Sequence, residues 1–182
     1  MLFRSDATGQ VRELSLALPG RANRANAVVA LAVAEVFGIS AAQAIEPVRQ
    51  VRSVAGRYTQ VERHGTALRL LLAKNPAGWL EALDVLVAAP VPVLLAVNAQ
   101  TPDGKDTSWL WDVDYRRLRG RPVFVAGERK LDLAVRLEAD EVAFSMADGI
   151  DEAIAAAGSP SLEVIANYTA FQQIRAALGR VG

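Results

Sequence analysis

From Tyr58 to Leu178 the chain alternates short apolar runs with helical stretches of about ten residues. Tyr58–Arg63, Thr66–Ala73, Val91–Val97, Val123–Ala126, Val142–Phe144 and Leu162–Ile165 read as strands. Pro76–Leu86, Lys130–Glu138, Asp148–Ala157 and Thr169–Leu178 read as helices. Parallel strands cannot be joined by tight turns, so this alternation confines the chain to βαβ units with helices covering a mostly parallel sheet. Only the first two strands, separated by His64-Gly65, suit a hairpin. The expected class is α/β. Ligands of such sheets bind at the carboxyl ends of the strands, which directs attention to the loops that follow them.

Upstream the pattern is thinner. Residues 11–18 partly alternate and end in Pro19-Gly20, a strand and a turn. Asn23–Phe37 is helical, with Val28, Val29, Leu31, Val33, Val36 and Phe37 spread among alanines, and a helix apolar all round is expected to be buried. Gly38 suits its C-cap. Ser40 caps a second helix, Ala41–Val51, which Pro47 is expected to kink or break. One strand and two helices are too little to enclose a core. The chain therefore divides near Ser53-Val54-Ala55-Gly56. Residues 1–54 read as the tail of a larger unit, and residues 55–182 as a domain.

The 182 residues are 52% hydrophobic and 22% charged, enough to form a sizeable core and too apolar for disorder. Net charge is zero, so no field favours nucleic acid or anionic lipid. There is no cysteine, which excludes disulfides, thiolate zinc sites and cysteine nucleophiles within the chain and suits a reducing cytosol. The N-terminal apolar run is too short for a signal peptide. The longest apolar stretch, Val85–Val97, is interrupted by Pro90 and Pro92 and falls short of the roughly 18 residues of a transmembrane helix.

Three loops carry candidate chemistry. Ala73-Lys74-Asn75-Pro76 leads into a helix N-terminus, where free N–H groups favour anions; the plainer reading is a turn capped by Asn75. Residues 98–112 place Asp103, Asp106 and Asp112 beside Trp109 and Trp111. Either the tryptophans plug the core edge while Asp106 caps the following turn, or one carboxylate is presented to a partner or substrate. The spacing of the aspartates matches no metal loop, so no metal site is expected here. Gly127-Glu128-Arg129 opens the helix of Asp132 and Arg136, four residues apart and expected to pair on its face; Arg129 could meet an anion. His64, the only histidine, reads as a surface turn residue with no acid or nucleophile to make a dyad, which argues against a self-contained Ser-His-Asp hydrolase.

Several of these strings are familiar. Gly20-Arg21-Ala22-Asn23-Arg24-Ala25-Asn26 resembles the G-x-x-N-x-x-N segment near the end of the central ATPase domain of Mur ligases. Gly56-Arg57 resembles the G-R that opens their C-terminal domain, and Ala73-Lys74-Asn75-Pro76 their A-H-N-P segment, with Lys74 in place of His and Leu71-Leu72 in place of the preceding Asp-Tyr. That departure argues against an amino-acid-adding Mur ligase. Asp103-Gly104-Lys105-Asp106-Thr107-Ser108-Trp109-Leu110-Trp111-Asp112, then Gly127-Glu128-Arg129 with Asp132 and Arg136, and Tyr168-Thr169-Ala170, resemble the MurT family, the Mur-ligase-like subunits of lipid II isoglutaminyl synthases.

The resemblance implies a Rossmann-like Mur ligase C-terminal domain over 55–182, preceded over 1–54 by the end of the central ATPase domain. It implies a cytoplasmic ligase subunit acting at the inner face of the membrane. With ATP and Mg²⁺ the subunit phosphorylates the α-carboxylate of D-glutamate in lipid II, and a GatD-like glutaminase supplies the ammonia. It also implies that an aspartate is lent to the Cys-His pair of that glutaminase. Asp106 and Asp112 are the candidates, Asp106 being preferred because it precedes the aromatic anchors. Trp109, Trp111 and Asp103 fall at the partner interface, while Asn23, Asn26, Arg57, Lys74 and Asn75 fall on the nucleotide side. The family's phosphate loop and cysteine zinc ribbon have no counterpart here and are expected upstream of Met1, so the chain alone is expected to be inactive. The alternatives are a docking module that lends no catalytic group, or part of another Mur or folylpolyglutamate-type ligase.

Overall fold

In the computed structural model, residues 2–4, 9, 11–54, 57–86 and 90–179 are described. The chain separates into two units, Met1–Val54 and Ala55–Gly182.

In the first unit, β1 (Leu2–Arg4) pairs antiparallel with β2 (Val11–Glu13), so the strand expected over 11–18 is shorter and has a partner that the sequence pattern did not indicate. Helix α1 (Arg21–Val36) ends at Gly38, whose φ of 80° admits a residue without a Cβ. Helix α2 (Ala41–Gln50) starts with a capping box: Ser40 accepts from the Gln43 N–H, and the Gln43 side chain reaches back to the Ser40 N–H. Pro47 lies inside α2, and the helix continues through it. The expected all-round burial of α1 is not found. Only Ala27 and Leu31 are buried, in a small core with Leu14, Ala41 and Ile45, while Val29, Val33, Val36 and Phe37 are exposed. Among the described residues of this unit, α2 and the segment around Leu14 cover one stripe of α1.

The second unit is organised by a six-stranded sheet. Its elements in chain order are β3 (Tyr58–Arg63), β4 (Thr66–Leu72), α3 (Pro76–Val85), β5 (Val93–Ala96), β6 (Val123–Ala126), α4 (Lys130–Ala139), β7 (Ser145–Met146), α5 (Ile150–Ala157), β8 (Ser161–Ala166) and α6 (Tyr168–Leu178). The strand order is β3-β4-β8-β5-β6-β7, and only β3 and β4 are antiparallel. They are joined by His64 and Gly65, both at positive φ (51° and 75°), as a tight two-residue hairpin demands. Alternate residues Leu68, Leu70, Leu94, Ala96, Phe124, Leu162 and Val164 pack on α5 and α6 through Ile150, Ala153, Phe171 and Ile174. Their neighbours Leu71, Leu95, Val125 and Ile165 are buried too, so β5 and β6 read as unbroken apolar runs, while β8 is interrupted by buried Glu163, which pairs with Arg69.

One expected strand moves. Val142–Phe144 is apolar but does not join the sheet; β7 begins at Ser145. Glu141 takes φ 55°, its N–H reaches the Glu138 carbonyl, and the Val142 N–H reaches that of Leu137. This is a Schellman stop for α4, with buried Val142 as its apolar plug. The same shift delays α5 to Ile150, where Asp148 had been expected to begin it.

Candidate functional site

The carboxyl ends of β4, β5, β6 and β8 lie side by side, so the loops that follow them converge. At their centre sits Asn98, immediately beyond β5 and 1% exposed. Its N–H donates to Asn167 Oδ1 (3.0 Å), and Asn167 Nδ2 donates back to the Asn98 carbonyl (2.6 Å). Asn98 Nδ2 donates to Thr169 Oγ1 (3.1 Å) and Gln173 Oε1 (2.9 Å), and its Oδ1 accepts from the Glu128 N–H (2.9 Å). A buried amide satisfied on every side locks β5, β8, α6 and the β6 loop together. Sequence reasoning missed this role, because an asparagine after a strand looks like an ordinary turn residue.

Gly127 belongs to the same junction. Its φ is 93°, and a Cβ placed on it would lie 2.4 Å from the Val97 carbonyl and 2.9 Å from Asn98 Oδ1. Gly127→Ala should therefore destabilise the chain by about 2–4 kcal/mol, read as a lowered denaturant midpoint with unchanged slope. A midpoint equal to wild type would show that the loop relaxes without cost.

The loop after β5 is fastened at successive points. Asp103 accepts from the Thr169 N–H at Oδ1 (3.0 Å), and its Oδ2 accepts from the Thr169 hydroxyl and from the Gln100 N–H (3.3 Å). A carboxylate at the first turn of α6 meets free N–H groups and the positive end of the helix dipole. Asp103, expected at a partner interface, is thus half-buried and occupied by its own α6.

Beyond it, Ser108–Asp112 forms a 3-10 turn. Asp106 is fully exposed; Oδ1 accepts from the Ser108 N–H (2.8 Å) and Oδ2 from the Ser108 hydroxyl (3.0 Å). These two bonds, the backbone one foremost, hold its carboxyl below the usual carboxylate range. Asp112 is exposed, and its carboxylate has no hydrogen bond or ion pair among the described residues. The two tryptophans part company. Trp109 turns inward, its ring 5.8 Å from fully buried Trp79, which in turn meets Tyr115 at 6.1 Å. Trp111 is 59% exposed beneath the Arg136 guanidinium, 5.2 Å from its ring centre.

Arg136 does not pair with Asp132 as the four-residue spacing suggests. It is buried and turned toward the loop, donating to the carbonyls of Leu110 (3.2 Å) and Val113 (2.7 Å) and pairing with Asp140 (2.7 Å). Asp132 instead pairs with Arg129 (2.5 Å) and accepts from the Thr107 hydroxyl (3.1 Å).

The nucleotide-side candidates are divided between the units. Asn23, donating to the Pro19 carbonyl (2.6 Å), and exposed Asn26 lie on α1. Arg57, Lys74 and Asn75 lie in the second unit, all exposed, while Gly56 falls outside the described residues. Asn75 caps α3 by accepting from the Gly78 N–H (2.9 Å), as the turn reading has it, and Lys74 rests its ammonium 4.4 Å from the centre of the Tyr168 ring. His64 is an exposed turn residue 3.6 Å from Asp151, which Arg63 engages with two hydrogen bonds. Among the described residues no cluster of His, Asp and Glu could hold a metal ion, and no helix is long and apolar enough to cross a membrane.

Residues 72–171 match the family model described as MurT ligase C-terminal. The lipid II isoglutaminyl synthase (glutamine-hydrolyzing) subunit MurT of Streptococcus pneumoniae is 31% identical over 131 residues, 69% of this chain and 29% of that protein. The subunit of the same name from Staphylococcus aureus is 28% identical over 130 residues, 69% of this chain and 30% of that protein. The chain thus spans less than a third of the relatives it matches. Solved structures share its fold. UDP-N-acetylmuramoylalanyl-D-glutamyl-2,6-diaminopimelate–D-alanyl-D-alanyl ligase of Acinetobacter baumannii aligns over 93% of this chain and 39% of its own, with TM-score 0.66 and 16% identity. Folylpolyglutamate synthase of Mycobacterium tuberculosis, complexed with ADP, aligns over 93% and 43%, with TM-score 0.64 and 21% identity. The fold is that of the Mur ligase C-terminal domain.

Proposed function

The chain belongs to the MurT ligase C-terminal family, and from that premise we propose that it is the C-terminal part of a MurT subunit of lipid II isoglutaminyl synthase. Residues 1–54 are then the end of the central ATPase domain, and residues 55–182 the C-terminal domain. The reaction amidates the α-carboxylate of D-glutamate in lipid II. The carboxylate takes the γ-phosphoryl group of ATP to give an acyl phosphate and ADP; ammonia adds to the acyl carbon, phosphate leaves, and a proton is lost. Glutamine hydrolysis by a GatD-like glutaminase supplies the ammonia. The subunit works in the cytoplasm, at the inner face of the membrane.

The observation that best supports this reading is the Asp106 carboxylate. It faces solvent, it is ionised at neutral pH as any exposed aspartate is, and Ser108 engages two of its roughly four acceptor positions. A carboxylate so held, with its remaining lone pairs open, suits the far nitrogen of a partner's imidazole. There it fixes the tautomer and stabilises the imidazolium. Trp111, five residues further along the same loop, is exposed and suits an anchor for such a partner.

On the nucleotide side the residues fit part of a site. Lys74, Arg57 and the side-chain NH₂ of Asn75 are donors in exposed positions, suited to one wall of an ATP pocket. Magnesium-ATP supplies the phosphoryl group when bound. Its β- and γ-phosphates need a glycine-rich loop, which these residues do not supply.

The test is reconstitution of the complete subunit with its glutaminase, lipid II, ATP, Mg²⁺ and glutamine. The expected products are ADP and a lipid II one amide richer, detected by mass spectrometry. Lipid II returned unchanged with both glutamine and ammonium salts, by a pair that binds and hydrolyses ATP, would sink the reading.

A further inference from the structure

Thr107 joins Asp106 to the 3-10 turn, yet its side chain does not cap that turn. The hydroxyl reaches across to α4 and donates to Asp132 Oδ2 at 3.1 Å. Arg129 Nε holds the same oxygen at 2.5 Å. Among the described residues this is the only side-chain hydrogen bond from residues 104–109 to another element; Asp106 and Ser108 bond each other, and Trp109 makes a ring contact. Upstream, the Asp103 clamp lies three residues before Asp106, and downstream the grip of Arg136 begins at Leu110. The backbone of Thr107 sits at φ −106°, ψ 6°, in the sparsely populated bridge region where functional residues are often found. Rotation there swings Asp106 relative to the tryptophan turn.

Resting on the reading that Asp106 serves a partner's histidine, we infer that Asp132, braced by Arg129, is a positioning residue. Through the Thr107 hydroxyl it holds the backbone that aims the Asp106 carboxylate. A hydrogen-bonding carboxylate acts only within a narrow range of angle and distance from the imidazole, so loss of this tie lowers turnover without touching glutamine binding. The polar side of α4 near its N-terminus thereby gains a role distinct from the core-facing side that carries Arg136.

The experiment measures glutamine hydrolysis by the complete subunit–glutaminase complex carrying Thr107→Val, Thr107→Ser, Asp132→Ala, Asp106→Asn, or Thr107→Val with Asp106→Asn. Thr107→Val and Asp132→Ala should each lower kcat about tenfold, with glutamine KM and complex affinity unchanged. Thr107→Ser should restore the rate. In the Asp106→Asn background Thr107→Val should add nothing, because its effect passes through that carboxylate. Wild-type kcat in Thr107→Val, failure of serine to rescue, or an equal loss in both backgrounds would overturn the inference while leaving the role of Asp106 standing. A wild-type rate for Asp106→Asn overturns the parent reading instead.

Discussion

Asp106→Asn in the complete subunit, bound to its glutaminase, is expected to lower glutamine hydrolysis by about 10³–10⁴-fold while the two proteins still associate. The substitution is nearly isosteric. An amide oxygen still accepts from the Ser108 N–H, so the turn is kept. What disappears is the negative charge. A neutral amide neither stabilises an imidazolium nor holds the tautomer that a cysteine nucleophile requires. Ammonium salts should bypass the defect, since amide formation on the ligase side does not use this carboxylate. Asp112 is the control. It is exposed and has no partner of its own among the described residues, so nothing pre-orients it, and Asp112→Asn should leave glutamine hydrolysis within about twofold of wild type. Loss in Asp112→Asn alone would transfer the role to Asp112. Survival of activity in both would leave this domain as a docking module that lends no catalytic group.

Arg136→Met should cost about 3–5 kcal/mol of stability, because it strips a buried ion pair of one partner, removes the side-chain donor to the Val113 carbonyl and leaves the Leu110 carbonyl only the Val113 N–H. Urea unfolding followed by tryptophan fluorescence reads the loss. Trp111 should respond as well, since its cation partner is gone. The pair also has a pH signature. Burial pushes the Asp140 carboxyl up, but the hydrogen bond from Arg136, the Tyr115 N–H and the charge of Arg136 outweigh it and leave the carboxyl below its ordinary value. A depressed folded-state pKa contributes stability above the unfolded value and loses it as pH falls through the folded one. The wild type should therefore weaken from about pH 4 downward, and Arg136→Met should lose that part of the slope. A change under about 1 kcal/mol at neutral pH would mean that the loop re-forms without its clamp.

The resemblance rested on the string from Asp103 to Asp112, and the matched family segment contains it. Within that string, residue type did not say which carboxylate is free. Asp103, Asp106 and Asp112 look alike on paper. Asp103 is taken up by Thr169, 66 residues away, and Asp106 by Ser108, two residues away. The tryptophans likewise share a residue type and a loop, yet one meets Trp79 and the other meets solvent and Arg136. Asp132 and Arg136 show the limit of a spacing rule: four residues apart on one helix, each pairs instead with a cap residue at helical spacing, Asp132 with Arg129 and Arg136 with Asp140.

The chain's own order of residues determined the α/β class, the hairpin at His64-Gly65, the caps at Ser40 and Asn75 and, to within a few residues, most of the strands and helices. These features follow from period, turn chemistry and capping, which act between residues close in sequence. Only the tertiary structure decided that Asn98 ties the strand ends together, that Val142 stops α4 instead of entering the sheet, that Arg136 turns inward, and that Asp106 faces outward. The tie at Asn98 and the inward turn of Arg136 depend on which distant group lies within about 3 Å, and that distance exists only once β5, β6, β8, α4 and α6 have been brought side by side; the other two are local bonds whose burial or exposure is set by the elements around them.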